Sequence, residues 1–242
     1  MTSFDDAREL VTHADNGLSK IRSAYEQALH AQSVSALMRV EIKNFFENLR
    51  SALDFAAVGL FERHGNSVKK NPKIYFPYAL KEQDRSEFEK CGRIETCIPG
   101  ISAGRPDIVG ALMEIQHFGA RGYKWLPVFM ELTNENKHQR LTPQVRRERK
   151  ELRIAGKGAS MSLGQGASIS LGAGASISIG GAVIRGGQSF DVSKPPQVSG
   201  GKTEVITWVS FHFEANQEPV MPLLEGALNG VREIVNALAA LI

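Results

Sequence analysis

Two short stretches carry side chains whose types and spacing could do chemistry. In ENLRSALDF, residues 47–55, Arg50 and Asp54 stand four apart, so a helix puts a guanidinium and a carboxylate on one face, with Asn48 close by. That spacing serves a plain ion pair or an anchored cation for a phosphate. In ELTNENKHQRLTP, residues 131–143, Asn134, Lys137 and His138 fall within five residues, with Arg140 just beyond. An imidazole beside an ammonium is either a polar helix end or a general acid–base with a charged companion. From Lys137 to Arg153 seven Lys or Arg stand against two Glu, including Arg140, Arg146 and Arg147. Such a run is a solvated face or a phosphate-binding strip. No aromatic interleaves it, so any nucleic-acid contact from this run is directed to the backbone.

Other chemistries are absent from the sequence. No glycine-rich loop ends in GK[ST], so there is no nucleotide-triphosphate signature. Cys91 and Cys97 have no companion Cys or His pair, which leaves out a zinc site and reads as two free thiols in a reducing cytoplasm. No metal or cofactor is expected. The first residues, MTSFDDARELV, are acidic and lack the apolar core of a signal peptide. Glu225, Arg232 and Glu233 interrupt the most apolar stretch, so no membrane segment is expected. With 242 residues, 42% hydrophobic, 23% charged and a net charge of +3, the chain suits one globular domain whose basic character is local.

The elements that must position these residues can be read from periodicity. Ser3, Asp5 and Asp6 start a helix over 3–31, with Leu10, Ala14, Leu18, Ile21, Tyr25 and Leu29 on one face. A second runs over 34–64 and closes at Gly65-Asn66. The two should pack as an antiparallel hairpin. IYFPY, 74–78, is extended; EQDRSEFEK, the stretch from Pro106 to Phe118, and the residues after Pro127 read as helices. EVITWVSFHFE alternates as a strand and PLLEGALNGVREIVNALAALI is helical. The chain is therefore read as α+β: a helical bundle led by a long antiparallel helix hairpin, with a small antiparallel β-meander and a C-terminal helix. A mostly helical part covers 1–141, a β-rich part 142–214, and the helix over 219–242 packs back on the bundle.

Between them, GASMSLGQGASISLGAGASISIGG repeats an eight-residue phrase three times over 158–181. Each copy alternates apolar and serine, so strands are expected near 159–163, 167–171 and 175–179, with a fourth from Ala182 or Val183. Three-residue Gly-x-Gly hairpin loops would place Leu163 opposite Ala167, Met161 opposite Ile169 and Ala159 opposite Leu171. The apolar face is expected to lie against the helices. Near-identical strands also invite self-association, so a homo-oligomer through the helices or through this sheet is expected as one class of partner.

NLRSALDF, IYFPY, KWLPVFMEL and LTNENKHQR in this order resemble a family of uncharacterised bacterial and phage proteins with NLRSALDH-like and N-x-x-KH motifs. The resemblance is best over residues 45–143. Its first motif, an arginine followed after four residues by histidine, is similar to the signature of HEPN domains. There, arginine and histidine from two protomers flank the 2′-hydroxyl and scissile phosphate of RNA. Phe55 stands here where that histidine would be, and phenylalanine transfers no proton. The resemblance implies a HEPN-like protein acting through RNA or protein partners in bacterial defence or a phage. The rival is a metal-independent ribonuclease with Arg50, Asp54, Lys137 and His138 as catalytic groups and Asn48, Asn134, Arg140, Arg146 and Arg147 binding. A third reading is a scaffold that assembles through the serine sheet.

Overall fold

The computed structural model describes residues 2–31, 34–67, 70–138 and 143–242, with the backbone alone at 30, 31 and 136–138. Helix α1 (Ser3–Ala31) buries Phe4, Ala7, Val11, Ala14, Leu18, Ile21 and Ala28, a three-four spacing that forms one continuous apolar stripe. Its cap is Thr2 rather than Ser3. The Asp5 N–H donates to Thr2 Oγ1 at 3.2 Å, while Ser3 Oγ donates to Glu62 at 2.7 Å. Helix α2 (Ala36–His64) starts on Ser35, whose hydroxyl accepts from the Met38 N–H, and stops where the Gly65 N–H reaches Phe61 O. The Ser3–Glu62 bond joins the start of α1 to the end of α2, so the pair is antiparallel. Gly59 makes this approach close: a Cβ there would lie 2.6 Å from the Phe4 ring.

An extended strap follows, then four short helices: α3 (Arg85–Lys90), α4 (Arg93–Cys97), α5 (Ile101–Gly104) and α6 (Pro106–Ile115). Helix α7 (Trp125–His138) buries Leu126, Phe129, Met130 and Leu132, with Phe129 edge-on to Phe46 of α2 at 5.5 Å. Helix α8 (Val220–Ala239) packs along α1 and α2. Arg22–Glu225 (2.7 Å) and Arg232–Asp15 (2.8 Å) pin its exposed flank to α1. These helices, with the adjoining strand ends, form one compact unit, 1–145 and 212–242.

The second compact unit, 146–211, is built from strands. They are β1 (Gln144–Ala155), β2 (Ser160–Gly164), β3 (Ser168–Leu171), β4 (Ser176–Ile179), β5 (Ala182–Arg185), β6 (Gln188–Asp191), β7 (Val198–Ser199) and β8 (Lys202–Phe213), the start of β1 and the end of β8 belonging to the helical unit. The repeat strands stand where the alternation predicts and β5 starts at Ala182. Their partners differ from the expected ones. β2 pairs with β1 (Met161 opposite Ile154), β3 with β6 (Ile169 opposite Phe190) and β4 with β5 (Ile177 opposite Ile184), all antiparallel. The pairings Leu163–Ala167, Met161–Ile169 and Ala159–Leu171 do not occur.

The glycines explain why. Gly166 (φ +89°) and Gly174 (φ +81°) each take the third position of a β-turn closed by Ala167 N–H to Gly164 O and Ala175 N–H to Gly172 O, both 3.1 Å. These turns lead the chain from one short sheet to the next instead of folding it back. The two-residue hairpin falls at Gly180-Gly181, both with positive φ, between Ile179 and Ala182. A corner keeps the apolar side inward as faithfully as a hairpin does, so face matching alone does not separate the two. The three sheets, ordered β2-β1-β8, β3-β6 and β4-β5-β7, share one core of Leu152, Ile154, Ala182, Ile184 and Phe190. Met161, Leu163, Ile169, Leu171, Ile177 and Ile179 pack against it, so the repeat's apolar face serves a core of its own rather than covering helices. β1 is itself a strand within the charged run, which composition alone does not suggest.

Candidate functional site around Arg50 and Asp54

The strap over residues 74–80 has no ladder partner among the described residues, while Phe76, Pro77 and Ala79 are buried. Buried backbone groups must still be paired. Side chains do this. Asp54 Oδ1 accepts from the Phe76 N–H at 2.8 Å. Gln116, fully buried just past α6, accepts from the Ala79 N–H at 2.8 Å through Oε1 and donates to Pro77 O at 3.2 Å through Nε2.

Arg50 completes the arrangement. Its Nε lies 3.3 Å from Asp54 Oδ2, and the two side chains are 12% and 24% exposed. Its Nη1 reaches Met130 Sδ of α7 at 2.7 Å, and its guanidinium sits 5.3 Å from the centre of the Tyr78 ring. Arg93 of α4 stands 6.0 Å from the same ring. Tyr78 Oη in turn accepts from Asn134 Nδ2 at 3.2 Å. Burial pushes the nearby Cys97 thiol up, against the opposing pull of Arg93, so the sulfur is held protonated rather than activated. A cleft of about 570 Å³ opens beside this cluster, lined by Tyr78, Leu80, Lys81, Pro127, Glu131 and Asn134 among others.

The sequence motifs thus meet in part. Arg50, Asp54 and Asn134 gather around Tyr78 and Met130. Asn48 is half-buried on α2. Lys137 and His138 end the backbone of α7, but their side chains lie outside the described residues, as does the whole of Arg140. Arg146 and Arg147 lie on β1 in the strand unit, Arg146 paired with Glu148. Phe55 lines a different cleft with Phe4, Val58, Gly59 and Ile242. At five residues beyond Arg50 it is turned about 140° around the helix axis, so a histidine there would not face the Arg50–Asp54 pair. His64 is engaged elsewhere, its Nε2 at 2.8 Å from Arg105 Nη1.

Sequence reading passed over Gln116, Tyr78, Arg93 and Met130. The signal for the first was available: an extended IYFPY segment with no obvious partner strand demands side-chain acceptors for its N–H groups. Among the described residues no three His, Cys, Asp or Glu side chains gather closely enough to hold a metal ion, and no helix is long and apolar enough to cross a membrane. No family model, no curated protein and no solved structure matches the chain.

Proposed function

We propose that the chain works in the cytoplasm as a non-catalytic, HEPN-like module that acts by binding a protein or nucleic-acid partner. The observation that carries this reading is the engagement of Asp54 and Arg50. One carboxylate oxygen takes the buried Phe76 N–H, and the guanidinium is divided among Asp54, Met130 and Tyr78. Groups consumed in holding a strap have little capacity left for a scissile phosphate. The free thiols of Cys91 and Cys97 fit a reducing compartment. The bacterial defence or phage setting follows from the motif resemblance alone.

The test is incubation of the purified protein with mixed single-stranded and structured RNAs, beside Arg50→Ala and His138→Ala variants. Intact RNA throughout supports the reading. Cleavage by the wild type that disappears in either variant, with folding unchanged, sinks it in favour of a ribonuclease using Arg50, Lys137 and His138.

One observation favours a second reading, self-assembly through the repeat: β2 and β4 are outer strands of their sheets, and among the described residues each has a strand partner on one edge only. Ser176→Lys with Ser178→Lys would charge the β4 edge. An oligomer seen by light scattering for the wild type and lost in this variant would support assembly; a monomeric wild type removes it.

A further inference from the structure

The outward side of the β2-β1-β8 sheet gathers groups that lie far apart in sequence. Leu152 and Ile154 of β1 and Met161 and Leu163 of β2 serve the core. Alternation therefore turns Arg149, Glu151 and Arg153 of β1, and Ser160 and Ser162 of β2, to the opposite face. The register sets Arg153 against Ser162 and Glu151 against Gly164. Gly164 keeps the floor flat, and the Arg149 guanidinium lies over it, Nη2 being 3.5 Å from where a Cβ would stand. Trp208 of β8 joins this face. It is 57% exposed, and its Nε1 donates to Glu151 Oε2 at 3.2 Å. Hydrogen bonds from Ser162 and Trp208 hold the Glu151 carboxyl below the usual range, so it remains a fixed acceptor that orients the indole. Arg149 and Arg153 are exposed and in no salt bridge among the described residues.

We propose that this face binds single-stranded nucleic acid, with a base stacked on Trp208 and neighbouring phosphates held by Arg149 and Arg153. An exposed aromatic with a fixed ring plane loses little freedom when a base covers it, and every base offers a π face. The arginines are four residues apart, roughly 13 Å along the strand, so they hold separate phosphates. The neighbours of Trp208 on β1 and β2 are arginine, glutamate, serine and glycine, a composition suited to a charged backbone rather than to an apolar protein partner. A duplex keeps its bases stacked and offers none to the indole. The proposal rests on the reading above only in treating binding as the work of the chain, and its site is independent of the Arg50 cluster.

The experiment is fluorescence anisotropy of labelled oligouridine and oligothymidine of about ten nucleotides, and of a duplex of equal length, at roughly 50 and 200 mM salt. Trp208→Ala should weaken single-strand binding about tenfold with the salt dependence unchanged, and Trp208→Phe should keep most of the affinity. Arg149→Gln and Arg153→Gln should each lower the slope of log affinity against log salt by about 0.7. The two oligonucleotides report whether RNA or DNA is preferred. Thermal melting checks that the variants fold; should Trp208→Ala not fold, Trp208→Phe and the arginine variants decide. Absence of binding at low salt, equal binding of the duplex, or indifference to all four substitutions overturns the proposal. So does self-association lost in Trp208→Ala without oligonucleotide binding, which assigns the face to a second copy. RNA cleavage by the wild type would refute the non-catalytic reading and leave this site standing; no cleavage and no binding does the reverse.

Discussion

Replacing Asp54 separates a scaffolding role from a catalytic one. Asp54→Ala removes the acceptor of the Phe76 N–H, and Phe76 is buried, so the orphaned donor costs about 1–3 kcal/mol. The same change breaks the largely buried pair with Arg50, worth about 1 kcal/mol at this partial exposure. The sum is a loss of about 2–4 kcal/mol. Asp54→Asn keeps an oxygen for the Phe76 N–H and loses only the charge, so it should cost about 1 kcal/mol. The chain has two tryptophans, Trp125 in the helical unit and Trp208 in the strand unit. In a Trp208→Phe background, urea unfolding followed by tryptophan fluorescence reports the helical unit alone, and linear extrapolation gives the differences. Amide exchange at Phe76 should accelerate in Asp54→Ala far more than in Asp54→Asn. Equal stability of both variants and wild type, within about 0.5 kcal/mol, would refute the strap argument. It would also free Asp54 for a chemical role.

Five glycine substitutions test the packing and the turns. Gly59→Ala should destabilise by about 1–2 kcal/mol despite its helix propensity, since the new methyl meets the Phe4 ring. Gly226→Ala in α8 meets nothing within 4 Å and should stabilise by about 0.5–1 kcal/mol; chemical denaturation compares the two. Gly166→Ala and Gly174→Ala, at positive φ, should each cost about 1–2 kcal/mol, whereas Gly172→Ala, in open space without positive φ, should be near neutral; amide exchange at Ile169 and Ile177 reads the difference. The Arg105 hydrogen bond holds the Asp107 carboxyl at about 2, below its ordinary 3.8. A depressed folded value means that its contribution is complete above the unfolded value near 3.8 and fades as pH falls through about 2. Melting curves between those pH values should fall less steeply for Asp107→Asn than for wild type.

The helices were legible because a three-four apolar spacing sustained over 20 to 29 residues leaves one way to bury a stripe, and α1, α2 and α8 follow it. The first strand of the strand unit was not. QVRRERKELRIA shows only Leu152 and Ile154 buried, because its middle, Arg147 to Lys150, is exposed on both faces and carries charge at every position. At the candidate site the i,i+4 spacing foretold the Arg50–Asp54 pair, but not what the pair holds. That depends on the strap and Gln116, which reach Asp54 from 22 residues away and Ala79 from 37. The Trp208–Glu151 contact spans 57 residues and arises from strand order, which alternation within each strand does not encode.

Near-identical strands threaten a fold because a one-phrase slip leaves every apolar residue still inward. Here no repeat strand pairs with another. β2, β3 and β4 each take a partner from outside 158–181, and those partners differ in bulk: Leu152 and Ile154, then Phe190, then Ala182 and Ile184. A slip by eight residues would set a repeat strand against the wrong volume, so specificity resides in the non-repeated strands. The edges are a separate matter. A four-residue edge offers about four backbone hydrogen bonds to another copy, each worth roughly 1 kcal/mol net, so about 4 kcal/mol in all. Association costs about 4–15 kcal/mol before any gain appears. One such edge is therefore too short to hold a second copy, and assembly through the repeat requires several edges engaged at once. Loss of an oligomer on charging β4 alone would accordingly mean that its edge is one of a cooperating set.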